Sequence, residues 1–210
     1  MMVLTSILME ILDALTCRVR QMSLEQIGAA WCPQTGSQKA LRRQLKQLLD
    51  IGLLMRTTAV AHPRLAIEAP LVAWSPNDDE PDFESAFRRI LARWRQPDCL
   101  IEVYWASAKA ANLFGSAGGR RPNVTHLNHD LLLSEVYVYY RTRHPELADN
   151  WIGENAIPKA GFRVKDPDAF ILDNAGMPLR VVESSGRYGI RQIQSFHDHC
   201  VDHCLPYELW

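Results

Sequence analysis

The stretch PDAFILDNAGMPLRVVESSG, residues 167–186, constrains the fold of this chain more than any other segment. PDAFIL and LRVVES are short apolar runs of strand-forming residues, and DNAGMP between them supplies hairpin turn chemistry. Each arm carries an acid: Asp168 opens the first and Glu183 stands near the end of the second. Two acids on paired strands can hold a divalent metal for phosphodiester cleavage. Residues two apart on a strand share a face, so the residue two past Glu183 belongs to the same surface. That residue is Ser185, which brings no positive charge.

The flanks extend the hairpin into a larger unit over residues 123–210. LNHDLLLSEVYVYYRTRH has the length and apolar spacing of a helix, and NWIGE suits a short strand. IRQIQSFHDHCVDHC returns to helical spacing through Ile190, Ile193, Phe196, Cys200 and Val201, and LPYELW ends as a strand. The expected order is therefore αβββαβ.

Residues 1–76 follow a different pattern. Leu4, Ile7, Leu8, Ile11, Leu12 and Leu15 mark a first helix, Ser23 caps a short second one, and Ser37 caps a third that ends at Gly52. LLMRTTAV and RLAIEAPLVAW then read as two strands of a hairpin around AHP. Three helices and a hairpin are the order of a winged helix-turn-helix. The third helix sets Gln38, Lys39, Arg42, Arg43 and Lys46 opposite its leucines. Between residues 37 and 64, six basic residues face one acid, Asp50. Such a surplus on the docking helix suits duplex DNA, with Gln38 and Arg42 placed for base edges and Arg56 and Arg64 for phosphates. The bland alternative is a solvated basic face on a domain that binds another protein.

Residues 77–122 read as a joint. SPNDDEPDFE is an acidic linker that caps the helix FESAFRRILARWR. DCLIEVYWASAKAANLFG begins like a buried strand and continues like a helix, and GSAGGRRPN follows as a flexible boundary.

The αβββαβ order, the Pro-Asp pair and VVES resemble the PD-(D/E)xK, or restriction-endonuclease-like, superfamily. With the helical start and the HLNHDL helix entry, most of the chain is similar to the replication-relaxation family of plasmids and other mobile elements. The resemblance implies an α+β chain in which Asp168 and Glu183 bind Mg²⁺, with Glu135 as an extra acid. Ser185 then stands where a lysine is expected. Arg180, Arg187 and Arg191, or a displaced Lys165, are the nearby substitutes, and Gln192 before Phe196 is similar to a glutamine-tyrosine pair of the RecB-like branch.

Composition sets the remaining limits. A net charge of −1 excludes a uniformly basic nucleic-acid coat. Five cysteines with no CxxC motif point to reduced thiols and a cytoplasmic protein. No apolar run approaches the roughly 18 residues of a membrane span. In HDHCVDHC, the His199/His203 and Cys200/Cys204 pairs each share a helix face, but four neighbours on one helix cannot converge on one zinc. The cysteines are expected against the sheet and the histidines toward solvent. The expected function is duplex-DNA binding for a mobile element through the winged helix, with a homodimer where half-sites repeat and a nuclease-like domain that has lost cleavage. An active Mg²⁺-dependent endonuclease and a protein–protein adaptor are the alternatives.

Overall fold

The computed structural model describes residues 4–32, 37–156 and 167–210, and shows a mixed α/β chain built on two sheets. Three helices lead: α1 (Ser6–Asp13, continued by a wider turn over Ala14–Arg18), α2 (Leu24–Trp31) and α3 (Gln38–Asp50). Each start is a hydroxyl cap. Thr5, Ser23 and Ser37 accept from the Leu8, Gln26 and Ala40 amides, which satisfies donors that the first turn leaves open. Leu41, Leu45 and Leu48 turn one side of α3 inward, and Gly52, at φ +70°, ends it in a left-handed conformation.

The strand partner of the expected wing is a correction. β2 (Leu54–Ala61) does not fold back on residues 64–74. It pairs antiparallel along its whole length with β4 (Cys99–Ala106), whose other side takes the two-residue β1 (Met22–Ser23). Pro63 and Pro70 interrupt the nearer candidate, which yields only β3 (Val72–Trp74), whereas β4 offers eight residues in continuous register. The sequence from 99 to 113 is both of the things it resembled: strand β4, then helix α5 (Ala108–Leu113).

β3 joins the second sheet, so strands cross the boundaries drawn at 76 and 122. That sheet runs β3-β8-β7-β6-β5, with β5 (Trp151–Gly153), β6 (Ala169–Leu172), β7 (Pro178–Glu183) and β8 (Tyr207–Leu209). β5, β6 and β7 form an antiparallel meander. β8 lies parallel to β7 and is reached through α8 (Ile190–Asp202). α4 (Phe83–Arg93) and α8 cover one face, and their apolar side chains meet Phe170, Val181 and Tyr207.

The other face meets α6 (Leu127–Arg143), which α7 (Pro145–Asp149) follows. α6 is buried nearly all round. Leu127 and Leu131 pack on Ala61 and Val103 of the first sheet, while Val136, Tyr137 and Tyr140 join the core containing Trp151, Ile171 and Val182 of the second. Gly153 brings β5 so close to the turn after α1 that an added Cβ would stand 2.0 Å from the Arg18 carbonyl. Beyond α6, one buried acid organises the chain end. Glu208 accepts from the Tyr140 hydroxyl, from Arg180, and from the Trp210 indole at 2.8 Å. Replacing Glu208 with alanine strips the buried Tyr140 hydroxyl and Trp210 indole, and the half-exposed Arg180, of their acceptor, and should cost about 3 kcal/mol in urea unfolding.

Candidate functional site

The basic face of α3 survives folding. Lys39, Arg42, Arg43 and Lys46 stay exposed and, with Arg56 from β2, line one open groove of about 1010 Å³ beside the β2–β4 ladder. Folding also brings in acids that a linear count misses. Glu102 on β4 pairs with both Arg42 and Arg56, and Lys46 pairs with Asp50 at 2.7 Å. Lys39 and Arg43 have no acid partner among the described residues. They are the two cations most available to a phosphate.

Gln38 and Arg64 lie outside that groove. Gln38 lines a separate cavity of about 210 Å³, together with Arg42, His62 and Trp94. Arg64 is exposed but already paired. Its guanidinium holds Glu135 through Nε at 2.9 Å and Nη2 at 2.7 Å, and Glu135 also accepts from Gln26 at 3.1 Å. The Glu135 hydrogen bond raises the Arg64 pKa further, against the lowering effect of burial. Glu135 is thereby removed from the acidic site: it faces α2, not the strand ends.

At the hairpin, Ala169 pairs with Val182, which makes Asp168 and Glu183 neighbours at the next step of the ladder. Their carboxylates are engaged separately. Asp168 Oδ2 accepts the Ser184 amide at 2.8 Å and lies 3.1 Å from His129 Nε2. Glu183 is fully buried and accepts from the Tyr188 hydroxyl. Ser185 is a further correction. Its hydroxyl and amide both bond to the Trp210 carbonyl, at 2.6 and 2.8 Å, and extend the β7–β8 pairing instead of serving the acids.

The substitutes for the missing lysine divide in the same way. Arg180 is taken by Glu208, and Arg187 lies 5.8 Å over the Trp94 ring. Gln192 and Arg191 do line the recess of about 480 Å³ that contains Glu183. The Gln192 carbonyl, however, accepts the Gly189 amide at 2.9 Å and so caps its own helix. Lys165 lies outside the described residues. Among those described, no three histidines, cysteines or acids gather where they could hold a metal. Of the three expected acids, Asp168 and Glu183 stand side by side, whereas Glu135 is held away from them by Arg64 and Gln26.

What stands beside Asp168 is His129, from the HLNHDL helix entry. His129 lies between Asp168 and Asp130, with Nδ1 3.5 Å from the Asp130 carboxylate. Burial disfavours the charged ring, but hydrogen bonds and charge from both acids outweigh it and hold the pKa at about 10. No local signal joins residues 129 and 168; only the tertiary fold does.

The HDHCVDHC segment also departs from expectation. Cys200 is buried, but α8 ends at Asp202, and Cys204 sits exposed at φ +52° beyond it. His197 turns inward, with Nδ1 3.0 Å from the Tyr207 hydroxyl. All five cysteines are free, and no helix among the described residues is long and apolar enough to cross a membrane. No protein-family model, curated protein or solved structure matches this chain.

The His129 clamp makes a pH prediction. Its folded pKa lies above the ordinary histidine value, so the stability it contributes is complete below about pH 6.5 and is lost as pH rises toward 10. Urea unfolding should show a loss of the order of 2 kcal/mol between pH 7 and 10, with partial exposure reducing the full linkage value. His129→Gln should flatten that dependence.

Proposed function

We propose that the chain binds duplex DNA through α3 and the neighbouring β2–β4 ladder. The carrying observation is the single groove in which Lys39, Arg42, Arg43, Lys46 and Arg56 converge. Two features support the reading. Three helices with a sheet ordered β1-β4-β2 are compatible with a winged helix whose wing loop is enlarged to hold β3 and α4. The antiparallel β5–β6–β7 meander, with β8 parallel to β7, is compatible with the strand plan expected of a restriction-endonuclease-like core. The role we propose is DNA recognition in the replication, transfer or transcriptional control of a mobile element. The second sheet then acts as a scaffold without cleavage, because His129 and Tyr188 occupy its two acids.

Fluorescence anisotropy on labelled duplex DNA at several salt concentrations tests the binding. Lys39→Ala with Arg43→Ala should weaken binding and reduce the slope of log K against log[salt] by roughly 1.8, the release expected for two phosphate contacts. An unchanged slope would move the DNA surface elsewhere. Arg64→Ala should leave the slope intact and instead lower stability by about 2 kcal/mol, because it strips the buried Glu135 carboxylate of its partner.

The neighbouring positions of Asp168 and Glu183 favour a second reading, a Mg²⁺-dependent endonuclease. Incubation with supercoiled plasmid and Mn²⁺ separates the two. The scaffold reading expects intact plasmid, and nicking abolished by Asp168→Ala would establish the enzyme.

A further inference from the structure

The cavity of about 210 Å³ adjoins the basic groove, and Arg42 lines both. Its space equals that of roughly seven waters at about 30 Å³ each, below the ~300 Å³ at which sites for drug-sized ligands begin. One ring system therefore fills it. Much of the wall is apolar, with Leu65, Ile101, Leu131 and the indole of Trp94 among its surfaces. Trp94 is held in place by its Nε1, which donates to the Gly186 carbonyl at 2.6 Å. The His62 ring stands edge-on to it, with centroids 5.0 Å apart at 77°.

Two polar groups in this wall are left open. His62 is 6% exposed, and its Nδ1 lies 2.8 Å from the Pro63 carbonyl. A carbonyl only accepts, so Nδ1 carries the hydrogen, and Nε2 of the neutral ring is an acceptor. Nε2 has no hydrogen-bond partner among the described residues. Asn128 Oδ1 accepts the His62 amide at 2.8 Å, and Asn128 Nδ2 is left as a donor without a partner among the described residues. An acceptor and a donor so placed suit a ligand edge that carries the complementary pair.

The charges around the cavity balance. Arg42 is held by Glu102 and Arg64 by Glu135, and Glu25 lines the same space. A phosphate is better served by Lys39 and Arg43, which have no acid partner among the described residues, so the cavity suits a neutral ring.

We propose that the cavity holds one neutral nucleobase, unstacked from a duplex lying in the α3 groove. The source of the base rests on the DNA reading above. Lys39 and Arg42 are three residues apart on α3, about 4.5 Å along its axis. A phosphate in the groove and a base in the cavity can therefore belong to one nucleotide. An amino-bearing base such as cytosine offers its amine to the acceptor at His62 and its ring nitrogen or carbonyl to the donor at Asn128.

Anisotropy of the full chain with three labelled duplexes of one sequence tests the proposal. One is fully paired, one has a single central C·C mismatch, and one is abasic on both strands at that position. The mismatch lowers the cost of unstacking and keeps a base to capture, whereas the abasic pair loosens the duplex and offers none. The wild type should bind the mismatched duplex at least about tenfold tighter than either of the others. Leu100 lines the cavity and is 73% exposed, so Leu100→Trp adds a ring there without disturbing the core. It should remove the mismatch preference and leave affinity for the paired duplex and its salt slope unchanged. His62→Phe keeps a ring against Trp94 but deletes the acceptor, and should reduce the preference with unchanged circular dichroism.

Equal affinity for the mismatched and doubly abasic duplexes would assign the preference to flexibility and overturn the proposal. So would a preference that survives both cavity variants, or equal affinity for the mismatched and paired duplexes; neither result touches the DNA reading. The Lys39/Arg43 double variant should weaken binding to all three duplexes alike. Failure to bind any duplex would overturn the DNA reading, and equilibrium dialysis with free cytidine then decides the cavity. Cytidine bound by the wild type and not by Leu100→Trp would keep the base in the cavity and change its source to a free nucleoside. No binding of cytidine or of any duplex would overturn the proposal.

Discussion

The rest of the structure depends on the burial of α6 between the two sheets. A helix enclosed on all sides leaves no solvent for its polar side chains, so each must find a partner within the protein. Glu135 takes Arg64 and Gln26, Asp130 takes Gln21 and His129, and the Ser134 hydroxyl donates to the Gln21 carbonyl. Through these bonds, groups from α1–α2, from the chain after β2 and from the strand end at Asp168 are tied to one element. The two halves of the chain consequently share a core instead of meeting at a linker.

This arrangement explains why charge counted along the chain overstates charge on the surface. Six basic residues between 37 and 64 suggest a strongly positive face. In three dimensions, Glu102 and Glu135 arrive from β4 and α6 and hold three of them. What remains is a local groove centred on Lys39 and Arg43, which is how a chain with net charge −1 can still present a phosphate-sized patch.

The strand ends separate fold from chemistry. Asp168 and Glu183 face each other one step beyond the Ala169–Val182 pair of the β6–β7 ladder. Their described partners are protein side chains and amides. A histidine cation sits at one acid and a tyrosine hydroxyl at the other, and Ser185 secures the terminal strand. The position of two acids on a ladder does not by itself fix their chemistry; the partners around them bear on it too.

Much of this was legible in the chain itself. Periodicity and caps located α2, α3, α6 and α8, and the β6–β7 hairpin follows from DNAGMP between two apolar runs. These are local properties, determined by residues within a few positions of one another. The partner of β2, the placement of β3 in the second sheet, the Arg64–Glu135 and His129–Asp168 pairs, and the use of Ser185 were not legible. Each joins residues that lie tens of positions apart, and apolar strands and charged side chains carry no label naming their partner. The sequence by itself determined which segments form helices and strands and which faces are apolar or basic. Only the tertiary structure decided which strands pair and which charges remain free, because packing chooses among many equally compatible long-range contacts by burial and by the need to satisfy every buried polar group.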